Sequence, residues 1–377
     1  MAVVAPGFEP VQKAFESWAD ADPSYSAQVA VFHRGELVAD LSTGAMASDS
    51  LLPVFSSSKG VTAVVIGLLV QRGQLDLDAR VSSYWPEFAA KGKGEVTVRQ
   101  LLSHQAGLHG VDGGYTYDEL CSHTPLAERL AAQRPFWQPG QGFLYHALTI
   151  GTLADELVRR IDGRPVAQVL VEDVTGPRGI DVFLGLPASE DHRALDVLLP
   201  SQEELLAFMA SMPAPPDPDA LPAQSSPLGG ALALLQQVNV ESFRRAGPPA
   251  AGGLASARGL ATLYAALRHD VGGPRVLTDD TIAQLSQIQV AGVELGTGYE
   301  ARFGVMFQAP CPPRWAFGSF RAFGHDGAGG SLGACDPTYD LAVGYTVQRV
   351  PLPDGLERKP DAITRIAREC LTQSPTR

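Results

Sequence analysis

The chain has 377 residues, more than one ordinary domain's worth, and with 45% hydrophobic and 19% charged side chains it can bury a large core. A net charge of −12 repels phosphate backbones and anionic lipid headgroups, so nucleic-acid and membrane-surface roles are not expected. No apolar run reaches the roughly 18 residues that cross a bilayer, and the opening MAVVAPGFEP lacks a secretory signal's basic and long apolar regions. Cys121, Cys311, Cys335 and Cys370 are scattered without a C-x-x-C pair, which predicts reduced thiols in a cytoplasmic protein, with no disulfide frame and no zinc site.

Residues 8–21 carry apolar positions at helical spacing. The alternating runs 28–33 and 36–42 around Arg34-Gly35 predict a β-hairpin. The period then turns helical: 61–71 is a dense apolar run, and 100–102, 127–133 and 149–160 follow the same spacing. Residues 213–227 (PAPPDPDALPAQSSP) hold too much proline for helix or central strand and predict an extended loop. Near the C-terminus 303–308, 317–324, 330–334 and 341–350 predict strands, and 360–371 a last helix. A lone hairpin cannot make a stable sheet. The economical arrangement is one sheet built from both chain ends, residues 1–80 and 250–377, with a mainly helical region, 81–249, inserted between them.

Two serine-nucleophile signatures compete. Gly329-Gly330-Ser331-Leu332-Gly333 fits G-x-S-x-G, but that arrangement needs a base histidine after the serine, and no histidine follows His325. Its flanks also read as a loop or hairpin rather than strand–turn–helix. Ser56-Ser57-Ser58-Lys59 is the rival, an S-x-x-K arrangement opening the helix predicted over 57–71. Three residues apart on a helix puts an amine and a hydroxyl on one face. The helix start supplies free N–H groups and a partial positive charge. Burial can lower a lysine's pKa by several units and make it a usable base. Lys59 lies between a serine cluster and GVTAVVIGLLV, a poor place for an idle charge.

From here the chain resembles a known family: the class C serine β-lactamases, the related penicillin-binding proteins and the family VIII carboxylesterases. Residues 55–78 (FSSSKGVTAVVIGLLVQRGQLDLD) resemble its nucleophile motif, helix and following turn, and 96–108 (VTVRQLLSHQAGL) its T-x-R-x-L-L-x-H-T-S-G-L segment. Residues 139–151 (PGQGFLYHALTIG) resemble the second motif, with its tyrosine at Tyr145. Gly252-Gly253-Leu254 is similar to a turn before a helix, here 257–267, and 324–330 (GHDGAGG) to the third motif, with H-x-G in place of K-T-G.

The resemblance implies an α/β (α+β) fold: an antiparallel sheet flanked by terminal helices, plus an inserted all-helical region. It implies Ser56 as nucleophile, Lys59 as its base and Tyr145 as proton carrier to the leaving group. The oxyanion hole would be the main-chain N–H groups of Ser56 and Ala328. His325, Asp326, Gly327 and His146 are the expected substrate-binding residues, with packing the alternative for His146. Two departures bear on substrate: Tyr145-His146-Ala147 replaces Y-x-N, and His325 replaces the third motif's cation. The implied activity is hydrolysis of small esters through an acyl-enzyme, with no metal or organic cofactor. A β-lactamase or D-Ala peptidase, or an acyltransferase, on the same machinery is the alternative, and a silent scaffold the rival from another class. Of the other candidates, His104 and His109 lack metal-ligand spacing and read as loop histidines. Trp85 and Trp137 read as core or cleft walls, and Tyr117 and Asp118 as candidate substrate contacts.

Overall fold

A computed structural model of the chain describes residues 2–211, 231–352 and 357–372. The proline-rich stretch 213–227 lies outside the described residues. Six antiparallel strands form the main sheet in the order Val3–Val4, Glu36–Thr43, Ala27–His33, Leu341–Val347, Leu332–Asp336 and Phe323–Asp326. Its two halves come from opposite chain ends and meet where Ala27–His33 pairs with Leu341–Val347, Val31 facing Val343.

Side chains alternate across a strand, so each face of this sheet collects its own core. Val29, Val31, Val343 and Tyr345 face the terminal helices Glu9–Ala21 and Lys359–Thr372, which bring Val11, Phe15, Ile363 and Ala367. Ala30, Phe32 and Ala342 face the other way, toward Leu260 and Tyr264 of the helix Ala257–Ala266 and the apolar body of the helix Ser57–Gln71. Every residue from Ser57 to Leu69 is buried. A helix apolar all round belongs inside a protein, and this one forms the centre of the molecule.

The insertion is helical where 149–160 predicted it, in Thr149–Asp162, and also in Val98–Leu102, Tyr117–Ser122 and Thr124–Ala132. A second sheet crosses the expected boundary: Val182–Leu184 and Leu52–Pro53 both pair with Gly253–Ala255. That small sheet seats the segment leading into Ser56, since Val54 N–H donates to the Gly253 carbonyl at 2.9 Å.

Two predicted strands are corrected. The run 303–308 ends its strand, Glu300–Phe303, at its first residue, because the chain turns back there: Gly304 N–H donates to the Phe307 carbonyl (2.9 Å), Phe303 bridges Gln308, and Met306 within the turn is left-handed (φ 61°). Glu300–Phe303 instead pairs with Val290–Val293 in a hairpin that the sequence did not announce. Most of 317–324 is turn: the Asp336 carboxylate accepts from the Ser319 N–H (2.7 Å) and hydroxyl (2.6 Å), and only Phe323–Asp326 joins the sheet. No helix among the described residues is long and apolar enough to cross a membrane.

Candidate active site

The three serines before Lys59 have different fates. Ser58 Oγ donates to the Phe55 carbonyl (2.5 Å) and accepts the Gly253 N–H (2.9 Å). Ser57 Oγ donates to the His325 carbonyl (3.0 Å) and lies 2.9 Å from Ser331 Oγ. These two hydroxyls tie the helix start to both sheets. Ser56 is partly exposed, and its Oγ faces Lys59 Nζ at 3.1 Å. The residue before it, Phe55, has a left-handed backbone (φ 48°), which is strained for an aromatic residue and presents Ser56 at a sharp elbow.

Lys59 is 0% exposed, and its amine also donates to the Ala250 carbonyl (2.9 Å). One turn on, Thr62 Oγ1 donates to the Pro249 carbonyl (2.8 Å), so the helix is pinned against the 248–252 turn. Burial holds the Lys59 amine well below its ordinary 10.5, and the Asp326 carboxylate opposes this only in part.

The Tyr145 phenol is hydrogen-bonded to the Ser56 side chain, and Lys59 Nζ lies 4.8 Å from the centre of its ring. Removal from water raises the phenol's pKa, so it holds its proton. Phe303 stacks on the same ring (5.6 Å between centres, 12°), while the His104 and His325 rings lie at 5.0 and 6.0 Å. Lys59, Tyr145 and Ser56 thus meet in one partly dry place, where a neutral amine, a hydroxyl and a phenol can exchange protons.

The glycine-rich turn after His325 closes the opposite side. Gly327 N–H donates to the Ser331 carbonyl (2.9 Å), and a Cβ on Gly327 would stand 2.3 Å from the Val54 carbonyl oxygen. A Cβ on Gly329 would stand 2.3 Å from the Phe55 ring. Only glycine lets this turn lie so close to the Phe55-Ser56 elbow. Ala328 is exposed between them, and among the described residues neither its N–H nor that of Ser56 has a main-chain acceptor. Ser331 is buried, and its hydroxyl donates to the Val54 carbonyl at 2.7 Å, so it serves as a strut in the turn.

His325 is fully buried, and its Nδ1–H donates to the Asp326 carbonyl at 2.7 Å. Burial, with Lys59 nearby, pushes its pKa down to about 3, so the ring is a neutral group with Nε2 as a lone-pair acceptor. Two of the expected substrate contacts have partners within the protein. The Asp326 carboxylate is engaged by Arg358 and by the Trp315 Nε1–H (3.1 Å). Both His146 nitrogens serve the main chain, Nδ1 donating to the Leu144 carbonyl (2.6 Å) and Nε2 accepting the Leu108 N–H (3.0 Å). Tyr117 packs against Phe243 and Asp118 is exposed, whereas Trp85 packs on Phe88 and Trp137 stacks on His109.

Sequence reasoning missed the supports of this cluster. Glu294, in the unannounced hairpin, is buried and accepts the Tyr145 N–H (3.2 Å) and the Thr297 hydroxyl (3.1 Å), and burial raises its pKa. No local pattern marks Glu294, Phe303 or the Ala250 carbonyl, because each acts across more than 100 residues of chain. Among the described residues no three His, Cys, Asp or Glu side chains are grouped to hold a metal ion.

The Beta-lactamase family model matches residues 15–368. The chain is similar to the esterase/beta-lactamase LipL of Mycobacterium tuberculosis, 31% identical over 370 residues, covering 92% of this chain and 82% of LipL. It superposes on EstA from Arthrobacter nitroguajacolicus Rue61a with a TM-score of 0.91 at 41% identity over 100% of both chains. It also superposes on a family VIII carboxylesterase with a TM-score of 0.84 at 32% identity, over 98% of this chain and 99% of that one. The chain belongs to the beta-lactamase family and is a serine hydrolase with that family's fold.

Proposed function

We propose that the protein is a carboxylesterase that hydrolyses small esters through an acyl group carried on Ser56. The observation that carries this is the buried Lys59 amine, 3.1 Å from Ser56 Oγ and held well below its ordinary pKa. In its neutral form the amine takes the Ser56 proton as Oγ attacks the ester carbonyl. The oxyanion is received by the N–H groups of Ser56 and Ala328. The protonated Tyr145 phenol gives its proton to the departing alcohol and regains one from Lys59. Water then attacks the acyl-enzyme by the reverse proton path and releases the acid.

The preference for esters over β-lactams rests on residues that are not there. Ala147 stands where the lactam-cleaving pattern has an asparagine, and Asn239, the chain's one asparagine, clasps the Val197 main chain through both amide atoms (2.9 Å each). His325, neutral in this setting, offers no cation for a drug's carboxylate. The names of EstA, of the family VIII carboxylesterase and of LipL as an esterase support the same reading, and LipL's second name keeps lactam cleavage as the reading to test against. A fluorophosphonate should label Ser56, as mapped by peptide mass spectrometry, and Ser56→Ala should abolish turnover of p-nitrophenyl acetate. Labelling elsewhere, or turnover surviving in Ser56→Ala, would remove the proposal.

A further inference from the structure

Tyr145 sits in a stretch, 142–146, that has no regular secondary structure. Nothing in a helix or a sheet ladder therefore aims its phenol, and the main-chain N–H groups around it must find acceptors elsewhere. Three successive ones do so outside the segment. Leu144 N–H donates to the His104 carbonyl (3.3 Å), Tyr145 N–H to Glu294 Oε1 (3.2 Å) and His146 N–H to His104 Nδ1 (3.0 Å). One residue, His104, thus holds the chain on both sides of Tyr145, through its main chain before it and its side chain after it.

The local structure of His104 is unusual in ways that serve this grip. Its backbone is left-handed (φ 67°), which brings its carbonyl and its ring toward the same segment. The ring is buried, 5.0 Å from the Tyr145 ring and 4.5 Å from Phe303, which itself stacks on Tyr145. Accepting at Nδ1 requires a neutral ring with its proton on Nε2. Burial, reinforced by His146, Lys59 and His325, keeps the ring neutral by lowering its pKa well below the ordinary value.

We propose that His104 is a positioning residue: by holding the main chain on either side of Tyr145 it points the phenol at Ser56 and Lys59. This rests on the reading of Tyr145 as the proton carrier. His104 touches no reacting atom, so its loss acts on kcat while leaving KM nearly alone.

Three variants test it. His104→Ala removes the acceptor and the ring, and a misplacement of about 1 Å at the phenol costs on the order of 100-fold in kcat. His104→Asn keeps an acceptor at about the reach of Nδ1 and tolerates the left-handed backbone, so it should recover kcat to within about threefold of wild type. His104→Gln carries its carbonyl one carbon further out and should resemble His104→Ala. Thermal melting reports how much of each protein is folded, and if His104→Ala does not fold, the Asn–Gln pair decides. Asparagine serving no better than glutamine, His104→Ala keeping kcat within about threefold, or a loss confined to KM would overturn the proposal. Should wild type cleave no ester, the esterase reading fails by itself. The rates of Ser56 labelling by a fluorophosphonate in the same variants then carry the test of His104, with the same order expected.

Discussion

Lys59 is anchored by the Ala250 carbonyl: the amine donates to a neutral dipole at 2.9 Å, and no carboxylate forms an ion pair with it among the described residues. A main-chain oxygen holds the amine in place while doing little to stabilise its positive charge. Among the described residues, the acidic group that acts on it is Asp326, which is engaged by Arg358. Burial therefore decides the balance, and the lysine gives up its proton easily.

Arginine at this position would keep the reach and the charge but does not deprotonate in proteins. Lys59→Arg should fail about as badly as Lys59→Ala, with kcat/KM down by roughly two to four decades, the usual span of general acid–base help. Steady-state kinetics on p-nitrophenyl acetate checks this. Retention of most activity in Lys59→Arg would move the base elsewhere.

The pH dependence has a definite sign. Activity needs neutral Lys59, so kcat/KM should rise with pH through the lowered pKa of that amine and then level off, with Tyr145 still protonated. His325, already neutral above about 3, contributes no limb near neutrality. Stability follows by linkage: between the folded pKa of Lys59 and about 10.5 the unfolded chain binds one more proton than the folded one, so stability rises with pH across that window. Below the window the buried amine is charged at full cost. Chemical denaturation of wild type and Lys59→Met at several pH values should show their difference shifting in favour of wild type as pH rises. A difference independent of pH would mean that the amine titrates normally.

Ser331 should behave as a strut. Ser331→Ala removes a donor to Val54 and a partner of Ser57, costing on the order of 1–3 kcal/mol of stability. Phosphonate labelling of Ser56 should persist in that variant. Denaturation curves and peptide mapping check the two statements separately, and loss of all labelling in folded Ser331→Ala would contradict the assignment.

Much of this site was legible because its chemistry is local. Ser56 and Lys59 share one turn of a helix whose apolar run also marks it as central, and the paired strands 28–33 and 36–42 show their alternation openly. What stayed hidden depends on distant parts of the chain. The left-handed Phe55 and His104 carry no glycine or asparagine to signal their backbone. His146, beside Tyr145, was open to either a site-lining or a packing role, and the partners of its ring, Leu108 and Leu144, lie on the main chain. Asp326 gave no sign in the sequence of its partner Arg358, 32 residues away and just before the last helix. The hairpin carrying Glu294 was missed because Val290–Val293 is mostly exposed and shows no apolar alternation.

The most direct measurement is kcat/KM for p-nitrophenyl butyrate and for benzylpenicillin on one preparation under one set of conditions. A missing buried hydrogen-bond partner costs roughly 1–3 kcal/mol, or about 5- to 150-fold, and here both the side-chain amide and the cation of the lactam-cleaving pattern are absent. The expected result is an ester value higher by at least about two decades. A penicillin value equal to or above that of the ester would contradict the carboxylesterase assignment and put lactam cleavage in its place.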